Sequence, residues 1–190
     1  MVEAEPTDEE LCRRIGQRDA PAFDLLVERY QARAWRLARS ILGNDADAHD
    51  VSQDAFIRLY ESAERFDGRS RFSTWFNRIL VNLCIDHFRR NKWWKKFIPL
   101  SNPDDPDAPV IDPPSPEPGP ELEAIRGAEI GQLRNALGRL SPNQRAALLL
   151  QVQEGCTSRE IAEVLNCSEN TARVHVHRAI AQLKKEMKKN

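Results

Sequence analysis

The stretch TSREIAEVLNCSENTARVHVHRA, residues 157 to 179, carries the clearest signal of local structure in the chain. Thr157 and Glu160 stand at the spacing in which a hydroxyl and a carboxylate satisfy each other's end-of-helix N–H groups, which predicts a helix from Ser158 to Leu165. Asn166-Cys167-Ser168 then reads as a turn, and a longer helix runs from Glu169 towards Lys188. A short helix, a three-residue turn and a longer helix make a helix-turn-helix. Just upstream, Ser141-Pro142-Asn143-Gln144 repeats the capping spacing and starts a helix of about ten residues that breaks at Glu154-Gly155-Cys156.

At 100° per residue, Ala172, Val176, Ala179, Ile180 and Leu183 share the stripe of the longer helix that should pack inward. The other side presents Asn170, Thr171, Val174, His177 and Arg178, with Arg173 and His175 on its flanks. Arg forks onto guanine, Asn onto adenine, and a small apolar group such as Val174 meets a thymine methyl, so these types suit a major groove. A polar face is also what any solvated helix shows. The capped helix and turn in front of it are what favour a duplex reader. Lys184, Lys185, Lys188 and Lys189 extend the basic side as phosphate contacts, which position without specifying. His175 and His177, two residues apart on a helix, point about 200° away from each other and cannot share a metal ion.

Upstream of this unit the composition changes abruptly. The 22 residues from 99 to 120, PLSNPDDPDAPVIDPPSPEPGP, hold nine of the twelve prolines and five acids with no basic residue. Proline removes backbone donors and fixes φ, and few apolar residues remain to bury, so the segment reads as an extended acidic linker. It divides the 190 residues into an N-terminal domain, 1 to 98, and a C-terminal domain, 121 to 190. At ~3.1 Å per residue the linker would let the two stand up to ~68 Å apart, about two turns of B-DNA. The net charge of -1 conceals this layout, because residues 121 to 190 carry 11 basic against 8 acidic side chains while the linker is purely acidic.

The N-terminal domain also reads as helical. Thr7-Asp8-Glu9-Glu10 is a third capping start. Apolar residues recur at helical spacing in Leu25, Leu26 and Tyr30, in Trp35, Ala38, Ile41 and Leu42, and in Ala55, Phe56, Leu59 and Tyr60. No sustained alternation marks a strand, so the fold class is all-α: two small helical domains joined by a proline-rich acidic linker. Asp45, Asp47, Asp50 and Asp54 place acids on one helix with Gln53 and Arg58, above an inner side of Val51, Ala55, Phe56 and Leu59. In FDGRSRFSTWF, residues 66 to 76, aromatics interleave with Arg, Gly and Ser. That mix suits single-stranded nucleic acid, since bases stack on aromatics while cations follow the backbone. Phe72, Trp75 and Phe76 at helical spacing equally suit a core. The helix that follows ends in a positive patch, with five basic groups against one acid in residues 86 to 98.

The four cysteines (Cys12, Cys84, Cys156, Cys167) form no C-x-x-C pair, and no apolar run approaches the ~20 residues that span a bilayer. The acidic start Met1-Val2-Glu3-Ala4-Glu5 lacks the regions of a signal peptide, which predicts a cytoplasmic protein with reduced thiols. A His49-Asp50 dipeptide is a feature of metal phosphohydrolases, but further His and Asp ligands cannot be placed, and neither a metal nor a cofactor is expected.

In their order, DAHDVSQDAF, FDGRSRFSTWFNRI, VNLCIDHFRR, an acidic linker, LSPNQRAALLL and TSREIAEVLNCSENTARVHVHRA closely resemble bacterial extracytoplasmic-function sigma factors, the small two-domain class of the sigma-70 family. The likeness covers nearly the whole chain. It implies a non-enzymatic protein without small-molecule substrate that binds core RNA polymerase and directs it to promoters. It implies that the helix from about Asp47 to Tyr60, with Asp47, Asp50, Gln53, Asp54 and Arg58, docks on the polymerase. It implies that the loop Phe66, Asp67, Gly68, Arg69 and Ser70, with Asn82, Arg89 and Arg90 on the next helix, receives the single-stranded minus-10 element. The duplex minus-35 element would fall to Ser158 and Arg159 with Asn170, Thr171, Arg173, Val174, His175, His177 and Arg178. An anti-sigma factor, often membrane-embedded, is the implied inhibitor and would hold the protein at the inner membrane. Relatives commonly carry a carboxylate where Arg69 stands, a glycine where Asn170 stands and a more polar residue than Val174, departures that bear on base preference.

Two other functions fit parts of the sequence. A helix-turn-helix regulator with a sensing or dimerising N-terminal domain would bind duplex DNA unaided and would have no use for the 66 to 76 loop. A helical phosphohydrolase would need His49 and Asp50 on a metal. The pair Trp93-Trp94 among Lys92, Lys95 and Lys96 reads either as a cap on the first core or as an exposed aromatic contact.

Overall fold

The computed structural model describes residues 5–97, 131–133 and 135–188, with 91–97 as backbone alone. Among them every regular element is helical and no strand occurs. The linker predicted at 99 to 120 and the surroundings of Trp93 and Trp94 lie outside the described residues and side chains.

Side chains at the chain's own turns set the N-terminal elements. Thr7 accepts from the Glu10 N–H at 3.2 Å and starts α1 (Asp8–Gly16). Asp19 accepts from the Ala22 N–H at 3.2 Å and starts α2 (Ala20–Leu42), and Asn44 accepts from the Asp47 N–H at 3.0 Å and starts α3 (Asp45–Ser62). These caps satisfy donors that a helix start otherwise leaves orphaned. A single 3-10 turn (Ala63–Arg65) and the Phe66 to Arg71 loop lead into α4 (Phe72–Phe97). The cap of α4 comes from far away in sequence: Glu9 of α1 accepts from the Phe72 N–H at 3.0 Å. Gly16 is required where α1 meets the 3-10 turn, because a Cβ there would lie 3.1 Å from the Glu64 backbone.

Leu11, Ile15, Leu26, Leu37, Ile41, Leu59, Phe72, Phe76 and Leu80 are fully or almost fully buried in the core of this four-helix unit. Tyr30 meets Phe72 edge-on with ring centroids 5.0 Å apart, and its hydroxyl donates to Asp8 at 2.6 Å. Val51, Ala55, Phe56 and Leu59 form the inner side of α3 as the spacing predicts.

In the C-terminal unit, helical residues at 131–133 and 135–138 precede α5 (Pro142–Val152), α6 (Ser158–Leu165) and α7 (Glu169–Met187). Of the three predicted capping boxes, Ser141 with Gln144 and Thr157 with Glu160 form reciprocally, whereas at Thr7 the hydroxyl accepts from the Glu10 N–H without the return bond among the described contacts. On α7 the inward stripe is narrower than its sequence predicts. Ala172 and Ala179 are fully buried and Val176 and Leu183 half-buried, whereas Ile180 is 39% exposed. α5, α6 and the helical residues before α5 cover the i, i+4, i+7, i+11 line of α7, and Ile180 lies 100° past Ala179, off that line.

The two units are packed together rather than standing apart, because a linker's length limits only the greatest separation and leaves apolar faces free to meet. Phe76, Val81 and Cys84 of α4 join Ala146, Ala147, Leu150, Ile161 and Val164 in one continuous core. Arg145 of α5, 6% exposed, donates to the Ile41 carbonyl at 2.6 Å, and its guanidinium lies 5.3 Å from the Phe88 ring centroid. Ile41 sits at the C-terminal end of α2, where helix carbonyls lack intrahelical partners and carry partial negative charge, so a cation from the other unit caps α2. Arg33 of α2 pairs with Glu154, whose side chain is only 3% exposed, and Gln153 donates to the Ser40 hydroxyl at 2.9 Å. Burial holds the Arg145 guanidinium below the ordinary arginine pKa.

Candidate nucleic-acid interface

The helix-turn-helix is set by two left-handed residues and two hydroxyl caps. Gly155, at φ 65°, turns α5 into α6. Asn166, at φ 50°, ends α6, and the Cys167 N–H closes the turn on the Ala162 carbonyl at 3.0 Å. Asn tolerates this conformation better than other side chains bar Gly. Ser168 then caps α7, accepting from the Thr171 N–H at 3.1 Å. Thr171 spends its hydroxyl in the same cap, 2.8 Å from that of Ser168, so it serves the helix start rather than lying free on the face.

Of the residues expected to read duplex DNA, Arg159, Asn170, Arg173, His177 and Arg178 are exposed. Ser158, Val174 and His175 are half-buried, and the His175 Nδ1 is sealed from solvent without a partner among the described residues. Arg173 is held by Glu169 one turn earlier, and Arg159 by Glu163 at 3.5 Å. Arg178 makes no ion pair among the described residues and is the cation most ready for a new partner. Glu160 is kept below the usual carboxylate range by the Thr157 N–H and hydroxyl, each at 2.8 Å from the same oxygen.

The loop at 66 to 70 is built differently from its expectation at one position. Phe66 is 7% exposed, with its ring 5.3 Å from that of Trp75 and 6.3 Å from that of Phe72, so it anchors the loop in the core instead of offering a stacking surface. What faces solvent is Asp67, Gly68 and Arg69, with Ser70 half-buried. Gly68 takes φ 71°, and Asp67 accepts from the Arg69 N–H at 3.0 Å and meets its guanidinium at 3.1 Å. On α4, Asn82, Arg89 and Arg90 are exposed as expected, and Arg78 and Asp86 join Asn82 in an i, i+4 line that sequence reading did not single out. Arg89 shares Asp86 at 3.5 Å.

On α3, Asp50, Gln53, Asp54 and Arg58 are exposed, with Arg58 3.7 Å from Glu61. Asp47 departs from this group: it is half-buried, with the His87 Nε2 of α4 3.1 Å from its carboxylate. Ile57, 56% exposed between Asp54 and Arg58, is an apolar member of the same face, missed because an isoleucine in a periodic helix is assigned to the core. His49 and Asp50 stand 4.0 Å apart and open to solvent, and among the described residues no three His, Cys, Asp or Glu side chains gather to hold a metal. Burial pushes the thiols of Cys12 and Cys84 up to about 12 and that of Cys156 to about 11, so none is a ready nucleophile.

A capped helix-turn-helix with a polar outer face, packed on a helical unit that carries a second polar loop and helix line, defines an all-α nucleic-acid-binding protein. Two family models match, Sigma-70 region 2 at residues 26–94 and Sigma-70 region 4 at residues 130–183. The chain is 32% identical over 188 residues to the ECF RNA polymerase sigma factor SigE of Mycolicibacterium smegmatis, covering 98% of this chain and 70% of that one. It is 32% identical over 182 residues to the ECF RNA polymerase sigma-E factor of Haemophilus influenzae, covering 91% of each. In fold it matches the structure of CnrH in complex with the cytosolic domain of CnrY, with TM-score 0.69 and 24% identity over 96% of this chain and 98% of that one. The chain belongs to the sigma-70 family, in its extracytoplasmic-function group. It is an RNA polymerase sigma factor that directs core polymerase to promoters for transcription initiation.

Proposed function

We propose that the sigma activity is divided between the units as their surfaces suggest, with residues 1 to 98 serving polymerase and the minus-10 strand and residues 121 to 190 serving the minus-35 duplex. The observation that carries this reading is α7, where Asn170, Arg173, His177 and Arg178 are exposed while Ala172 and Ala179 behind them are fully buried. Arg178 and Arg173 act as guanine or phosphate contacts, Asn170 and Val174 as neighbours on the base edges, and Ser158 and Arg159 hold the backbone at the start of α6. Asp67, Gly68, Arg69 and Ser70 with Asn82 receive an unpaired base, and Arg89 and Arg90 follow the strand. Phe66 contributes by fixing the loop. Polymerase is met by Asp50, Gln53, Asp54, Ile57 and Arg58, with Asp47 holding α3 to α4 through His87.

The protein carries no catalytic chemistry of its own and works in the cytoplasm. Its activity is restrained by an anti-sigma factor, a reading supported by the fold it shares with the sigma factor RpoE of Bartonella quintana, which was solved in complex with the anti-sigma factor NepR. Run-off transcription with core polymerase across a promoter library tests the division. Arg178→Ala should relax preference at one minus-35 position by about 1 to 3 kcal/mol if it reads a base, or weaken all sequences alike if it holds a phosphate. If Arg173→Ala and Arg178→Ala both leave preference and yield unchanged, the assigned face is wrong.

A further inference from the structure

Three arginines of α2, Arg33, Arg36 and Arg39, line one open groove of about 480 Å³ together with Ser40. Steps of three and four residues set these side chains on one face of the helix. Gln153 and Glu154, just past the end of α5, form the other wall. The volume falls within the ~300 to 1,000 Å³ of clefts that hold small ligands. None of the six lining residues is among those assigned above to promoter or polymerase.

Two of the guanidiniums are already held in place. Arg33 lies 5.6 Å from the Tyr30 ring centroid and directs its Nε to Glu154, and Arg39 lies 5.2 Å from the Trp35 ring centroid and directs its Nε to Asp45. A ring against the plane and a carboxylate on one edge fix a guanidinium, whose remaining edge keeps its donors. The terminal nitrogens of Arg33 and Arg39 make no hydrogen bond among the described residues. Arg36 is exposed and makes no ion pair among the described residues. Three guanidiniums therefore face two carboxylates, Glu154 and Asp45, which leaves the surplus positive charge at Arg36. The nearby end of α2 presents carbonyls with partial negative charge, so an anion here depends on the arginines alone. Glu154, 3% exposed, repels a second anionic group at its wall, while Gln153 and Ser40, hydrogen-bonded at 2.9 Å, offer a neutral polar surface.

We propose that this groove binds a small phosphomonoester. Its phosphoryl group sits in the fork of Arg36 and against the free edges of Arg33 and Arg39, since guanidiniums meet phosphate oxygens with paired, charge-assisted N–H bonds. Its uncharged, hydroxyl-bearing body lies along Gln153 and Ser40, because the Glu154 wall tolerates no second anion. A ligand that binds the folded chain stabilises it by mass action, so the site gives the protein a means of responding to a phosphorylated metabolite.

The test is titration calorimetry of the full chain with inorganic phosphate and with ribose phosphate, in a phosphate-free buffer of low ionic strength, with circular dichroism to establish that each variant is folded. Ribose phosphate should bind in the millimolar range or tighter, and about threefold more tightly than inorganic phosphate. Arg36→Ala should weaken both about tenfold, and Arg36→Lys, which keeps the charge and loses the fork, should fall between. Gln153→Ala should weaken ribose phosphate about threefold and leave inorganic phosphate unchanged. Arg13→Ala, at an exposed arginine of α1 outside the groove, should change neither. The proposal is overturned if ribose phosphate does not bind in the millimolar range, if Arg36→Ala binds as wild type does, or if Arg13→Ala weakens binding as much as Arg36→Ala. A single-stranded oligonucleotide that binds more tightly than ribose phosphate, with the same dependence on Arg36, would also overturn it and make the groove a track for nucleic acid. Because no step involves promoter or polymerase, failure of this site and failure of the assignments above appear in different experiments.

Discussion

The guanidinium of Arg145 lies 5.3 Å over the ring of Phe88, and this contact joins helices that the sequence separates by a proline-rich segment. Arg145 is the last polar residue before the run Ala146, Ala147, Leu148, Leu149, Leu150, and it buries with them because the Ile41 carbonyl and the Phe88 face receive its charge. A desolvated cation over an aromatic ring is worth about 1 to 2 kcal/mol. Arg145→Ala, Phe88→Ala and the double variant, compared by denaturant unfolding, should show a coupling energy of about 1 kcal/mol. Independent effects would mean that the ring contributes nothing to holding the units together.

Acid should weaken the start of α6. Hydrogen bonds from the Thr157 N–H and hydroxyl hold the Glu160 carboxyl below its ordinary range. A depressed folded pKa contributes stability that is complete above the unfolded carboxylate value near ~4.3 and lost as pH falls through the folded value. The wild-type protein should therefore exceed Glu160→Gln in unfolding midpoint at pH 7, and the gap should shrink as pH falls below about 4. A gap that stays constant with pH would place the stabilisation elsewhere than in the Glu160 charge.

Glu169 holds Arg173 in an ion pair, so under the proposed assignment of α7 to the minus-35 duplex it should compete with DNA for that guanidinium. The pair is exposed, so its own strength is only about 0.3 to 0.5 kcal/mol, but it also sets a negative charge at the rim of the reading face. Glu169→Gln should raise duplex affinity of the polymerase-bound protein by about two- to fivefold at low salt, with a smaller gain at high salt. Unchanged affinity at every salt concentration would mean that α7 does not approach the phosphates at this end.

Ile57 offers a way to separate docking from folding. It is 56% exposed and little packing depends on it. Ile57→Asp should leave the melting temperature within about 1 °C of wild type while lowering polymerase affinity about tenfold, as for an apolar member of an interface. A fall in melting temperature with normal polymerase binding would assign the residue to the core instead.

What the sequence makes legible here is what is local. The capping boxes at Ser141 and Thr157, the turn at Asn166 to Ser168 and the inner side of α3 each depend on residues within a turn or two, and each forms as its spacing predicts. The helix-turn-helix and its exposed arginines follow from those pieces. What stays hidden depends on partners far along the chain. Glu9 caps α4 across 63 residues, Asp47 is drawn to His87, and Phe66 turns inward because Trp75 and Phe72 are waiting there. The packing of the two units is likewise invisible in the sequence, since a linker's composition describes how far two bodies can separate and not whether their surfaces match.

This protein gives core RNA polymerase its choice of promoter and is expected to have little specific affinity for DNA alone, each basic face being small and the net charge -1. The direct measurement is promoter binding and run-off transcription at one fixed salt concentration, for the protein alone, core polymerase alone and the two together. Tight, sequence-dependent binding and discrete transcripts should appear only with both present. Tight specific binding by the protein alone, with no transcripts on adding core polymerase, would contradict the account and favour a free-standing helix-turn-helix regulator.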